Sequence, residues 1–272
     1  MEEHVPFQAS SRFGQNFLVD RNILRKIVKQ AGITDNDIIL EIGPGKGILT
    51  RALLEGGCRK LFAVELDTRL EPFLAEINAM FPNLMIFWED ALKLDYAESL
   101  REMPTKVIAN IPYNITTPLI WRLLETLAPR GLKYLLLMVQ KESAERLCAP
   151  PGSRSRYPLG ITIEAMGFSR KIFNVPPGAF RPVPKVESAV IEIIIERDYE
   201  LANSPSWRDL LRGSFAQRRK TLMNNLARKG LPFDKAAISE AMNACSIQTN
   251  IRAEELTTEQ WLDFHRELQK GS

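Results

Sequence analysis

The stretch Ile38-Ile39-Leu40-Glu41-Ile42-Gly43-Pro44-Gly45-Lys46-Gly47-Ile48 decides how this chain is read. Ile38–Ile42 is a short apolar run with strand character, and helical periodicity follows over Gly47–Glu55. Glycines at the junction permit a tight turn and let the backbone come close to a ligand. A dinucleotide site wants G-x-G-x-x-G here, but the third glycine, Gly47, comes one position early and residue 48 is Ile. The pyrophosphate fingerprint is therefore not met. The pattern suits a ligand without a phosphate pair, such as S-adenosylmethionine.

Outward from this turn, strand and helix signals alternate. Strands are expected at Lys60–Glu65, Leu84–Phe87, Lys106–Ala109, Leu132–Val139, Lys171–Val175 and Ser188–Glu196. Helices are expected at Arg69–Met80, Tyr96–Arg101, Thr117–Leu127, Lys141–Leu147 and Pro158–Gly167. An earlier helix starts after Asp20 at an N-cap position and closes at Gly32. Such alternation implies βαβ units and a mostly parallel, seven-stranded sheet with helices on both faces, a Rossmann-like α/β domain. Pro150 to Arg156 reads as a breaker-rich, mobile surface loop, whose two arginines could instead meet phosphates. After Tyr199 the strand pattern stops, and Trp207–Phe215, Gln217–Lys229, Asp234–Cys245 and Thr258–Leu268 read as helices. The boundary is expected near 197–204, giving an α/β domain over 1–200 and a small all-α domain over 201–272.

Composition narrows the function classes. The 272 residues carry a formal net charge of only +3, so charge distribution matters more than total charge. Three cysteines lie far apart with no C-x-x-C, which fits reduced thiols in the cytoplasm and gives no zinc framework. Two histidines near the chain ends, His4 and His265, argue against a His triad or a His-rich metal site. The N-terminus has no secretory pattern, and no apolar run can span a bilayer.

The candidate site residues follow strand ends. Glu65 ends the second strand where an acidic residue takes ribose hydroxyls, with Asp67 as the alternative ligand or the cap of the next helix. Asn110-Ile111-Pro112-Tyr113 follows the strand at Lys106. Asn110 offers an amide oxygen, Pro112 a carbonyl on a stiff backbone, and Tyr113 a flat face. Together they could hold a planar group carrying an NH2, such as the amino edge of adenine. Phe180 is the candidate for the other face of that base, or else an aromatic buried under Pro182 and Pro184. From Arg208 to Lys229 seven basic residues stand against one acid, a candidate surface for RNA phosphates.

Five ordered motifs carry a resemblance. They are Phe13–Leu18, Glu41–Gly45, Asn110–Asn114, the pair Pro176–Phe180 and Pro184–Ser188, and Gln217–Leu222. Over a span from about Arg12 to the last helix, the chain resembles the bacterial small-subunit rRNA adenine dimethyltransferases. The resemblance implies S-adenosylmethionine-dependent N6,N6-dimethylation of two adjacent adenines near the 3′ end of small-subunit rRNA during ribosome biogenesis. It implies Asn110, Pro112 and Tyr113 as catalytic. It implies Asn16 and Leu18 around the methionine portion of the cofactor, Gly43, Gly45, Glu65 and Asn110 elsewhere on it, and Asp90 on its adenine amine. Arg218, Arg219 and Lys220 are the expected RNA contacts. The expected partner is a partly assembled small subunit, met in the cytoplasm by a monomer that uses no metal and no membrane. The alternatives are a large-subunit rRNA methylase conferring antibiotic resistance, and an RNA-binding assembly factor with a secondary methylase activity. Gln217–Leu222 favours the small-subunit family.

Overall fold

The protein is described by a computed structural model that covers residues 15–228 and 234–270. The order of elements is β1 (Phe17–Leu18), α1 (Arg21–Ala31), β2 (Ile38–Ile42), α2 (Ile48–Glu55), β3 (Lys60–Glu65), α3 (Glu71–Met80), β4 (Leu84–Trp88) and α4 (Tyr96–Ser99). There follow β5 (Lys106–Asn110), α5 (Thr116–Leu127), β6 (Tyr134–Gln140), α6 (Lys141–Leu147), α7 (Pro158–Met166), β7 (Gly167–Val175), β8 (Phe180–Arg181) and β9 (Ser188–Ile195). Four helices complete the chain: α8 (Pro205–Ser214), α9 (Leu222–Leu226), α10 (Lys235–Ala244) and α11 (Thr258–Lys270).

Seven strands form one sheet in the order β4-β3-β2-β5-β6-β9-β7, while β1 and β8 make a separate antiparallel pair. From β4 through β6 every pairing is parallel. Every residue of β2 is buried, as expected of a strand covered on both faces. Strand order runs one way from β2 to β4 and the other way from β5 to β6. The ends of β2 and β5 therefore flank a topological switch point, where open α/β sheets bind ligands. Asp20 caps α1 by accepting from Asn22 N–H and Ile23 N–H, and Gly32 (φ 52°) ends it. At the opposite end of the sheet Asp37 accepts from Lys106 Nζ (2.9 Å), Thr105 Oγ1 and Thr34 N–H. Among the described residues no helix is long and apolar enough to cross a membrane.

The chain divides into two compact units. One comprises residues up to Ala144 with Lys171–Glu192; the other comprises Glu145–Arg170 and everything from Ile193 on. Packing explains why α7 falls in the second unit. Its Ile161 and Ala165 share a core with Trp207, Leu211, Leu226, Trp261 and Phe264. Near the expected boundary, Leu201–Asn203 forms a 3-10 turn with Ala202 buried.

Two expectations are corrected in this second unit. Gln217–Lys229 is not one helix: only Leu222–Leu226 is helical, begun by a Thr221 N-cap, and Lys229 lies outside the described residues. The preceding turn is held by the buried Asn225, which accepts from Gln217 N–H and donates to Ser214 O and Gln217 O. The segment Pro150–Arg156 is tied down. Gly152 N–H donates to Glu254 O (2.8 Å), and the buried Arg156 donates to Ala149 O, Glu164 and Thr258. Arg156 therefore holds the fold and offers no guanidinium to RNA.

Candidate active site

The glycine turn after β2 is required by conformation and by space. Gly45 and Gly47 sit at φ 59° and 77°, a left-handed region that side chains disfavour. A Cβ on Gly45 would stand 2.9 Å from the Phe17 ring, and one on Gly47 would stand 2.2 Å from Ile77 Cδ1. Gly43 N–H donates to Val64 O (2.9 Å), which anchors the turn to β3. The β2–β5 register pairs Leu40 with Val107, so continuing it brings Gly43 level with Asn110.

Between these strand ends lies a cavity of about 220 Å³. Asn16, Leu18, Gly43, Gly45, Glu65, Asp90, Asn110, Pro112 and Tyr113, nine residues picked from sequence, all line it. Glu65 is buried and takes three backbone donors: Gly45 N–H on Oε2 (3.1 Å), and Leu66 and Asp67 N–H on Oε1 (2.8 Å each). Burial raises its pKa, and those donors work against the rise. Asp67 is engaged elsewhere, by Arg69 on both oxygens and by Gln15 Nε2 (2.8 Å), and it caps the following 3-10 turn. Of the two acids at the end of β3, Glu65 is thus the one that lines the cavity. Asp90 Oδ1 accepts from Leu92 N–H (2.9 Å), which fixes the carboxylate at the cavity wall.

Glu41 is a site residue to which the sequence reading gave no role. It lines the cavity, is buried, and its Oε2 has no hydrogen-bond partner. Burial, opposed by the Thr50 hydroxyl and reinforced by the nearby Glu65 charge, pushes its carboxyl up to about 8. The available signal was an acid inside a wholly apolar strand, since an unpaired carboxylate is rarely buried without purpose.

At the end of β5, the Asn110 amide donates from Nδ2 to Asn16 O (3.1 Å), which settles which end of the amide is the acceptor. Pro112 O accepts from Ile115 N–H (3.1 Å) and keeps a second lone pair. Tyr113 is partly buried, and its hydroxyl shares a 2.7 Å hydrogen bond with Ser188 Oγ. Phe180 is placed differently from the stacking expectation. It is fully buried, pairs with Leu18 in the β1–β8 ladder, and does not line the cavity. Presenting a face to a base would require the ring to leave its buried place. Arg218, Arg219 and Lys220 are all exposed, on the turn that precedes α9 and not on a helix, and they belong to the other unit.

Comparison with known proteins agrees with this geometry. The family described as "Ribosomal RNA adenine dimethylase" matches residues 6–270. A protein of Alkaliphilus oremlandii (strain OhILAs) named ribosomal RNA small subunit methyltransferase A is 39% identical over 94% of this chain and 90% of its own length. One of the same name from Lachnoclostridium phytofermentans is 40% identical over the same shares, 94% and 90%. Among solved structures, a dimethyladenosine transferase from Plasmodium falciparum superposes with a TM-score of 0.81 at 28% identity, covering 93% of this chain and 98% of that one. The 23S rRNA methyltransferase ErmE, at 24% identity and TM-score 0.69 over 93% and 100%, shares the fold. With a family match over nearly its whole length, the chain belongs to the ribosomal RNA adenine dimethylases.

Proposed function

We propose that the protein dimethylates N6 of two adjacent adenines near the 3′ end of small-subunit rRNA, drawing methyl groups from S-adenosylmethionine, during ribosome assembly in the cytoplasm. The observation that carries this reading is the Asn110 amide, whose donor end is held by Asn16 O so that its acceptor end serves the cavity.

The cavity chemistry fits the cofactor. Glu41 Oε2 is a buried acceptor in need of a cation, as the methionine ammonium would be. Glu65 retains lone pairs for ribose hydroxyls, Asp90 retains Oδ2 for an amine, and the exposed Ile48 and Leu66 offer apolar walls to a purine. When bound, S-adenosylmethionine supplies an electrophilic methyl group on a sulfonium.

Adenine N6 is a poor nucleophile because its lone pair is delocalised into the ring. Acceptors at Asn110 Oδ1 and Pro112 O would each take one N–H, hold the nitrogen pyramidal and aim its lone pair. Tyr113, steadied by Ser188, would supply the stacking face. A methylated N6 ammonium would be a strong acid and would lose its proton to solvent, so Asn110 and Pro112 need only hold and aim the amine. Rate enhancement then comes from orientation and electrostatics, with no strong base.

Asn110→Ala should leave cofactor affinity within a few-fold by calorimetry while kcat on small-subunit particles falls on the order of 100-fold. Near-normal kcat would return the motif to the role of a structural turn. The parent enzyme should methylate undermethylated small-subunit particles and spare naked large-subunit RNA. Methylation of the large-subunit RNA instead would move the assignment to the resistance methylases.

A further inference from the structure

A second cavity of the first unit, a groove of about 1220 Å³, is walled by α1, α2 and α3. Arg21, Arg25 and Lys29 line it from α1, Arg51 from α2, and Lys46 from the glycine turn. Against these five cations stand two carboxylates, Glu55 and Glu76, an excess of three that equals the formal excess of the whole chain.

Stability would not choose this arrangement. Arg21, Arg25 and Lys29 recur every four residues on α1, opposite its buried Ile23, Ile27 and Ala31. Like charges at that spacing cost a helix roughly 0.2–0.5 kcal/mol per pair. Arg21 also opens the helix, where the dipole disfavours a cation and no acid occupies the first turn; only Lys29, in the last turn, gains from the dipole. Among the described residues none of the three has a salt bridge, and Arg25 has only the Asn22 amide oxygen at 2.5 Å. An exposed row of repelling cations that the fold does not neutralise is explained by a polyanion outside it.

We infer that this groove is a second docking surface for the phosphate backbone of helical rRNA, in addition to the Arg218–Lys220 turn. The inference rests on the proposed function, which brings rRNA to the cavity mouth. Lys46 and Ile48 line both the cavity and the groove, so a strand whose base enters one has neighbouring phosphates within reach of the other. Arg21 to Lys29 spans roughly 12 Å along the helix, room for successive phosphates of one strand. Val28, Phe73 and Ile77 give the groove apolar surface for the sugar edges.

The test compares the parent with the triple variant Arg21→Ala, Arg25→Ala, Lys29→Ala and with the double variant Glu55→Gln, Glu76→Gln. Binding of a labelled hairpin from the 3′ end of small-subunit rRNA is followed by anisotropy over a salt series. The triple variant should bind at least tenfold more weakly, with its log–log salt slope reduced by about one unit per lost contact. The double variant should bind more tightly, an opposite sign that misfolding cannot produce, and both should keep the parent's S-adenosylmethionine affinity. Parental affinity and slope in the triple variant overturn the proposal, whether the groove then serves an acidic protein or nothing. Methylation of small-subunit particles by the parent, measured in parallel, tests the functional reading separately.

Discussion

Glu41 shows how one buried group can report on its ligand. Its carboxyl, raised to about 8, is largely protonated at neutral pH in the free protein. A cationic ammonium beside it would favour the carboxylate, so binding should release a proton, and affinity should climb with pH until about 8. Calorimetry at pH 7 in two buffers of different ionisation heat should detect that proton in the parent and not in Glu41→Gln. Stability carries the opposite sign. The folded state holds this proton more tightly than the unfolded chain, so the contribution is complete below the ordinary value of 4.5 and is lost as pH rises towards 8. The melting temperature of Glu41→Gln should therefore gain on the parent between pH 5 and 8. At this scale the sequence was partly legible. Glu65 and Asn110 announce themselves by ending strands, and Asp90, two residues beyond one, is picked out by the resemblance alone, whereas Glu41 sits inside a strand, where only its misfit with apolar neighbours marks it.

Elements were legible where local chemistry agrees with the period. Asp20 and Gly32 bracket α1, and the apolar runs became β2, β3 and β5 within a residue of expectation. The failure at Gln217–Lys229 has a physical cause. Phe215, Leu222 and Leu226 keep helical spacing, yet the chain between them leaves the helix because Asn225 satisfies its backbone groups from the side. Leu222 N–H donates to Ile251 O (2.8 Å), a partner too distant in sequence for any period to reveal. Asn225→Ala would leave the Ser214 carbonyl without its partner in a buried setting and would release the part-buried N–H and carbonyl of Gln217. Unfolding by denaturant should show a loss of about 2–4 kcal/mol.

At the scale of the molecule, alternation of strands and helices predicted the sheet, and the glycine turn predicted where a cavity would open at its switch point. The apolar pattern did not reveal that α7 packs with the C-terminal helices, since every turn of that helix is apolar and names no partner. Of the two readings of Phe180, the buried one agrees with the structure, but nothing local revealed its strand partner Leu18, 162 residues away. Arg218, Arg219 and Lys220 lie in the unit that does not hold the cavity. Replacing Arg218, Arg219 and Lys220 together by Ala should weaken rRNA binding and lower the salt slope by up to about three units. Affinity for S-adenosylmethionine should not move. These side chains are exposed on a turn, so the melting temperature should hold as well.

The ties of the segment from Asn16 to Asp20 are made by main chain. Asn16 O receives Asn110, Leu18 pairs in register with Phe180, and the Val19 and Asp20 N–H groups both donate to Ala179 O. Any side chain leaves these bonds in place, proline excepted at the donors. A deletion or insertion of one residue would shift all of them out of register at once. Side chains count where Leu18 is buried, where Asp20 caps α1 and where Asn16 lines the cavity. The register itself depends on the number of residues and not on their identity: it should survive such exchanges and fail with any indel.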